Sequence, residues 1–237
     1  MRPPASSAFN VRPATRWAGG PATPVGLAAL FVLMTLGLQL WPGASELLRF
    51  SRADYERGAV WQLLSAQLVH LSNWHAAANA SAFAMIIFTC ASWLRWPLQM
   101  LALCGGYMGV AVVVALDPNC SYYAGASGAL HGLLAGNAVS MAFAARSQRQ
   151  SADAHCNSFR VSSSRWTLGL SIAVLGLMAF KLWLEAGSLP AAPLGGWRFP
   201  VYRPAHIAGA LGGMGLVLLV LTFRAVTSPK VNAECRQ

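Results

Sequence analysis

The sequence predicts an all-α membrane protein, a bundle of six transmembrane helices, and three observations lead there. Of its 237 residues 56% are hydrophobic and 10% charged, with a mean hydropathy of +0.48, whereas soluble domains carry roughly a quarter charged residues. Six apolar runs lie at about residues 24–41, 75–93, 98–116, 127–145, 167–184 and 205–223, each near the ~20 residues that a helix needs to cross a bilayer. The Lys and Arg residues gather in the gaps between these runs, where topology signals sit.

Taken in order, residues 1–23 are rich in Pro, Ala and Ser with Arg2, Arg12 and Arg16, and read as a disordered basic arm. Residues 24–224 form one membrane domain, and 225–237 a short tail. The first run ends at Pro42-Gly43-Ala44-Ser45, a passable signal-peptidase context. Its length and the five runs behind it favour an uncleaved span, and either choice leaves the chain after it on the outer side. Residues 43–73 are amphipathic, with Glu46, Arg49, Arg52, Asp54, Glu56 and Arg57 set among Leu47, Phe50, Tyr55 and Trp61. Such a mixture fits a loop of short helices at the headgroup level. With the N-terminus inside, eleven of the 17 Lys and Arg fall on the inner side and five on the outer. This places both termini in the cytoplasm. The second, fourth and sixth runs then all enter the bilayer from the outer face.

The formal charge of +10 raises nucleic acid as a partner, but no basic stripe interleaved with aromatics supports it. The five cysteines lack C-x-x-C spacing, so neither a disulfide framework nor a zinc site is expected. His70 and His75 lack the spacing and the acid of a zinc protease. No metal and no cofactor is expected.

The polar residues at the starts of the runs carry the chemistry, because polar groups inside a membrane are costly to bury. The fourth run opens with Ser127 and has Gly128, Gly132 and Gly136 four apart; the sixth opens with His206 and has Gly209 and Gly213 four apart. Small residues at that spacing let helix backbones approach closely. If the two stripes face each other, His206 meets Ser127 and acts as the base that a serine hydroxyl needs to become a nucleophile. The second run brings His75 and Asn79, four apart on one face. They, with backbone N–H groups at Ser127 and Gly128, are candidates to stabilise an oxyanion. No acid is expected to orient the histidine: Asp117 lies in an outer loop and Glu185 ends the fifth run, so a Ser-His dyad is expected. His131, four residues after Ser127, is a rival base, with packing deeper in the helix the preferred reading. Lys181 and Glu185 are placed to pair as a structural ion pair or a gating contact. A small transporter would need its polar site at mid-bilayer rather than near one face.

Three stretches, His70-Leu-Ser-Asn-Trp-His75-Ala-Ala-Ala-Asn79, Gly125-Ala-Ser127-Gly128 and Ala205-His206-Ile-Ala-Gly209, resemble the signatures of rhomboid intramembrane serine proteases, in the right order and over about residues 43–223. The resemblance implies a rhomboid-like six-helix fold with Ser127 as nucleophile, His206 as base, and His75 and Asn79 assisting the oxyanion. It also implies cleavage at the end of a partner's transmembrane helix, reached laterally beside the fifth span. Tyr122-Tyr-Ala-Gly-Ala-Ser-Gly-Ala-Leu-His131-Gly and Lys181-Leu-Trp-Leu-Glu185 are similar to the rhombosortase branch. That branch is bacterial, acts in the inner membrane, and removes a C-terminal tail of Gly-Gly, apolar helix and basic cluster from exported proteins. Gln62 follows Trp61 where many rhomboids have Arg. The alternative is a non-catalytic relative that binds or escorts membrane clients, although such relatives usually lack the serine or the histidine.

Overall fold

A computed structural model describes residues 22–153, 158–187 and 201–227. The expected basic arm, apart from Ala22 and Thr23, lies outside these residues, as do the tail beyond Thr227 and Arg198 in the segment before the sixth run. Among the described residues, six helices are long and apolar enough to cross a membrane. They are α1 (Ala22–Leu40), α5 (Asn73–Ala91), α6 (Trp96–Leu116), α7 (Ser127–Asp153), α8 (Ser158–Ala186) and α9 (Pro204–Thr227). The chain is a multi-pass membrane protein built as a six-helix bundle.

α7 and α8 extend furthest past their apolar stretches, α8 by starting at Ser158. α7 continues past Ala145 through Arg146, Ser147, Gln148, Arg149 and Gln150, residues with adequate helix propensity and no glycine or proline to stop them. Pro24 sits near the start of α1, where its missing N–H has no intrahelical role.

α7 runs through the middle of the bundle against α6, α8 and α9, while α1 packs on α5 through stacked Phe31 and Phe83 rings 4.3 Å apart. The two glycine stripes of the fourth and sixth runs interdigitate. A Cβ at Gly128 would meet the Ala205 carbonyl at 2.7 Å, one at Gly132 the Gly209 carbonyl at 2.6 Å, and one at Gly136 the Gly213 carbonyl at 2.9 Å. From the other side, Cβ atoms at Gly209 and Gly213 would strike the carbonyls of Gly128 and Gly132. α6 adds a third set: Gly106 lies against Ala129 and Gly132, and Gly105 and Gly109 against Gly212 and Ala208. Without side chains between them, the three backbones sit in van der Waals contact, which replaces the hydrophobic drive that lipid removes.

The amphipathic segment is built from α2 (Ala44–Leu48), β1 (Phe50–Ser51), α3 (Arg52–Glu56) and α4 (Gln62–Ser65). Beyond the expected short helices, β1 pairs antiparallel with β2 (Tyr122–Tyr123), Phe50 opposite Tyr123. The segment is thereby pinned to the loop that leads into α7. Arg52 makes the second anchor. Its guanidinium donates to the carbonyls of Val114 at 2.5 Å, Asp117 at 2.7 Å, Ala115 at 3.1 Å and Cys120 at 3.4 Å. These include orphan carbonyls at the C-terminal end of α6, where the helix dipole favours a cation. Gln62, buried, accepts from the Ser51 N–H at 3.0 Å and braces the loop from within. Arg52→Ala is expected to lower stability by about 1–3 kcal/mol, because several carbonyls lose a charged donor at once. Thermal unfolding in detergent reads this. Arg52→Lys should restore less than half, since a point charge cannot fork across four acceptors.

Candidate active site

The helices α5, α7 and α9 all begin at one end of the bundle, and the candidate residues lie at those beginnings. Ser72 caps α5 in extended conformation, its hydroxyl accepting from the His75 N–H at 3.1 Å. That fixes His75 in the first turn and buried Asn79 one turn below, where its amide donates to the His75 carbonyl at 3.0 Å. One N–H of Asn79 is therefore already held by its own helix.

The turn into α7 needs a glycine. Gly125 has φ +120°, donates its N–H to the Ala66 carbonyl at 2.9 Å, and lies so close to the His75 ring that a Cβ there would sit 2.5 Å from Cε1. The backbone then delivers Ser127 as the first residue of α7, half-buried at the mouth of the bundle. Tyr123 lies under this turn. Its hydroxyl donates to the Gly125 carbonyl at 2.8 Å, and the Gly128 N–H and the Ser127 side chain are close to it. Burial pushes the Tyr123 phenol well above its ordinary range, so it remains a donor. Its place under the serine was not expected from the sequence, whose only hint was an aromatic pair four residues ahead.

On α9, His206 is buried at 6% exposure, and its Nε2 lies 2.9 Å from Ser127 Oγ. The start of α9 is tethered twice. The Tyr202 hydroxyl donates to Asp117 at 2.7 Å, and Arg203 donates to the Glu185 carbonyl at 2.7 Å. The Tyr202 hydroxyl, with the Asn119 N–H behind it, holds the Asp117 carboxyl below the usual carboxylate range, so the first tether is complete at neutral pH and weakens only in acid.

Glu185 corrects an expectation. The sequence placed no acid near the histidine, yet Glu185 Oε2 lies 2.9 Å from His206 Nδ1, and its other oxygen takes the Lys181 ammonium at 2.6 Å. The last turn of α8 reaches across to the first turn of α9, a proximity that spacing within one helix does not reveal. His131 is not at the serine hydroxyl. Its Nδ1 is 2.7 Å from the Ser127 carbonyl, its Nε2 is 2.9 Å from Lys181 Nζ, and its ring stacks on His206 at 4.3 Å. His70, 2% exposed, meets His75 edge-on at 5.0 Å; burial and then the neighbouring His75 hold it down to about 3, neutral at any physiological pH.

At the mouths of these membrane helices a serine hydroxyl thus faces an imidazole at hydrogen-bond distance. Residues 57–223 match the rhomboid domain, and the chain belongs to the rhomboid family, whose members are intramembrane serine proteases. No curated protein matches the chain.

Proposed function

We propose that the protein is an active intramembrane serine endopeptidase that cuts a peptide bond at the end of a partner's transmembrane segment. The observation that carries this reading is the 2.9 Å contact between Ser127 Oγ and His206 Nε2, with the serine half-exposed. Neutral Nε2 takes the hydroxyl proton as Oγ bonds to the carbonyl carbon. The oxyanion is met by backbone N–H groups in the first turn of α7, Gly128 among them, with His75 and Asn79 from α5 beside it; each such donor is typically worth about 10²–10³ in turnover. Nε2 then hands the proton to the leaving amine as the C–N bond breaks. In the second half, water gives a proton to Nε2 and its oxygen attacks the acyl carbon, and Nε2 returns the proton to Oγ as the acid leaves.

The partner is read as a membrane-anchored exported protein whose C-terminal tail carries Gly-Gly, an apolar helix and a basic cluster. The similarity of Tyr122–Gly132 and Lys181–Glu185 to the rhombosortase branch supports that choice, as does the Lys and Arg bias that puts both termini in the cytoplasm. The enzyme then sits in a bacterial inner membrane with the site near the outer face. α8 supports lateral access: it packs chiefly on α7 and turns Leu177, Phe180 and Trp183 outward.

Mass spectrometry of a co-expressed tailed protein tests the reading. Wild-type enzyme should release one product truncated next to the Gly-Gly pair, and Ser127→Ala should leave the tail intact. Equal processing by both rejects the protease. Substrate bound but uncut by wild type, together with no labelling of Ser127 by a fluorophosphonate, gives the non-catalytic escort instead. Cleavage of apolar helices without regard to the tail rejects the rhombosortase assignment alone.

A further inference from the structure

Ser127 and the four polar side chains around it form a closed ring. It runs from the Ser127 carbonyl to His131 Nδ1 at 2.7 Å, from His131 Nε2 to Lys181 Nζ at 2.9 Å, and from Lys181 to Glu185 Oε1 at 2.6 Å. It returns from Glu185 Oε2 to His206 Nδ1 at 2.9 Å, and from His206 Nε2 to Ser127 Oγ at 2.9 Å. The donor and acceptor in each link follow from what each group is able to do. A carbonyl only accepts, so His131 Nδ1 carries its proton. An ammonium only donates, so His131 Nε2 holds a lone pair and the ring is neutral. Lys181 also donates to the carboxylate. The ionised carboxylate only accepts, so His206 Nδ1 must be protonated. The single remaining choice leaves His206 Nε2 with its lone pair facing the serine O–H, the form that a general base needs.

We propose that Glu185 is the positioning residue of this site, holding His206 in the Nδ1–H tautomer with Nε2 toward Ser127, and that Lys181, tied to His131, holds the carboxylate in place. This rests on the protease reading above and turns its dyad into a Ser-His-Glu arrangement. When Nε2 takes the serine proton, the imidazolium has the carboxylate against Nδ1–H and the neutral His131 ring stacked on its face at 4.3 Å. The charge that develops is therefore met at one edge and one face. Because the carboxylate comes from α8, any motion that lifts the end of α8 from α9 also releases the base.

The groups facing His206 set the sign of the pH effects. They are Ser127 and His131 from α7, Glu185 and Lys181 from α8, and His75 from α5. On its own side Arg203 opens α9, and from α6 the close approach to that first turn is uncharged, Gly109 against Ala208. Glu185 is the one anion among them and Lys181 its opposing cation, so removing either must move the acid limb of a kcat/KM profile in opposite directions.

The test uses the full chain in bilayers with a tailed substrate. In soluble serine proteases, losing the carboxylate behind the histidine costs about 10⁴ in kcat. Glu185 is about a quarter exposed, so Glu185→Gln should lower kcat by about 10²-fold with KM changed less than about threefold. Its acid limb should move lower by about one pH unit, because the imidazolium has lost its counter-charge. Glu185→Asp should recover roughly a tenth to a half of the lost rate. Lys181→Met should lower kcat by less than about tenfold and move the acid limb higher. A kcat for Glu185→Gln within threefold of wild type, with the limb unmoved, overturns the proposal. So do limbs that move the same way in Glu185→Gln and Lys181→Met, which would mark a structural ion pair only. If Glu185→Gln does not fold, the limb of Lys181→Met decides: upward supports, unmoved or downward overturns. Full cleavage by Ser127→Ala would instead sink the protease reading itself, while serine-dependent cleavage indifferent to Glu185→Gln sinks this inference alone.

Discussion

Ser127→Ala, His206→Ala and the double variant all fall to one floor of activity, on the order of 10⁴–10⁶ below wild type, rather than losing rate additively. The reason lies in the 2.9 Å contact between Oγ and Nε2. Without the imidazole the hydroxyl keeps its proton, and without the hydroxyl the imidazole has nothing to activate, so each loss already includes the other. The floor is set by what remains, the N–H donors at the α7 mouth and the binding of substrate. His131 makes this a sharp expectation. Were it an alternative base, His206→Ala would retain a sizeable part of the rate and the double variant with His131 would fall further. The geometry argues against that, since both His131 nitrogens are engaged elsewhere, on the Ser127 carbonyl and on Lys181. Single-turnover cleavage in bilayers, with folding checked by thermal unfolding, reads all of these variants. His206→Ala retaining more than about a hundredth of wild-type turnover would remove His206 as the base.

The six spans were legible because a bilayer demands long uninterrupted apolar runs, and few other folds leave such a trace. The depth of Ser127 and His206 was legible for a related reason: each stands where its run begins, so helix mouths on the same side put both at one level. The facing of the glycine stripes was also readable at Gly128, Gly132, Gly209 and Gly213, whose spacing of four holds along a helix whatever surrounds it. Gly105 and Gly109 in the third run share that spacing, and they lie against Gly212 and Ala208 of α9. What spacing cannot carry is rotation of one helix about its axis relative to another. Glu185 was visible four residues from Lys181 on α8, but its reach to His206 depends on how α8 and α9 are turned. In the same way, Arg52 read as one charge among several in an amphipathic loop; only the docked loop shows it gathering the carbonyls at the end of α6.

Gly209→Ala is expected to lower stability by about 3 kcal/mol, a large effect for one methyl group. The added Cβ meets the carbonyl oxygen and carbonyl carbon of Gly128, which are backbone and have no rotamer to yield. Gly213→Ala meets the backbone of Gly132 in the same manner. The helices must part, and interiors packed this closely do not absorb such a shift locally. Gly169→Ala, Gly176→Ala and Gly215→Ala are the matched controls, because a Cβ at those positions has nothing within 4 Å. They should be neutral or stabilising by about 0.5–1 kcal/mol, since alanine loses less conformational freedom in a helix than glycine. Unfolding in mixed detergent micelles separates the two groups. Gly209 also lies less than one helical turn from His206, and Gly128 adjoins Ser127, so separation at this level opens the Oγ–Nε2 contact directly. Even in the folded fraction of Gly209→Ala, labelling of Ser127 by a fluorophosphonate should slow by about 10²-fold or more, the cost of an ångström of misplacement. The same variant labelling at the wild-type rate would mean that the close approach of α7 and α9 does not set the reach of the base.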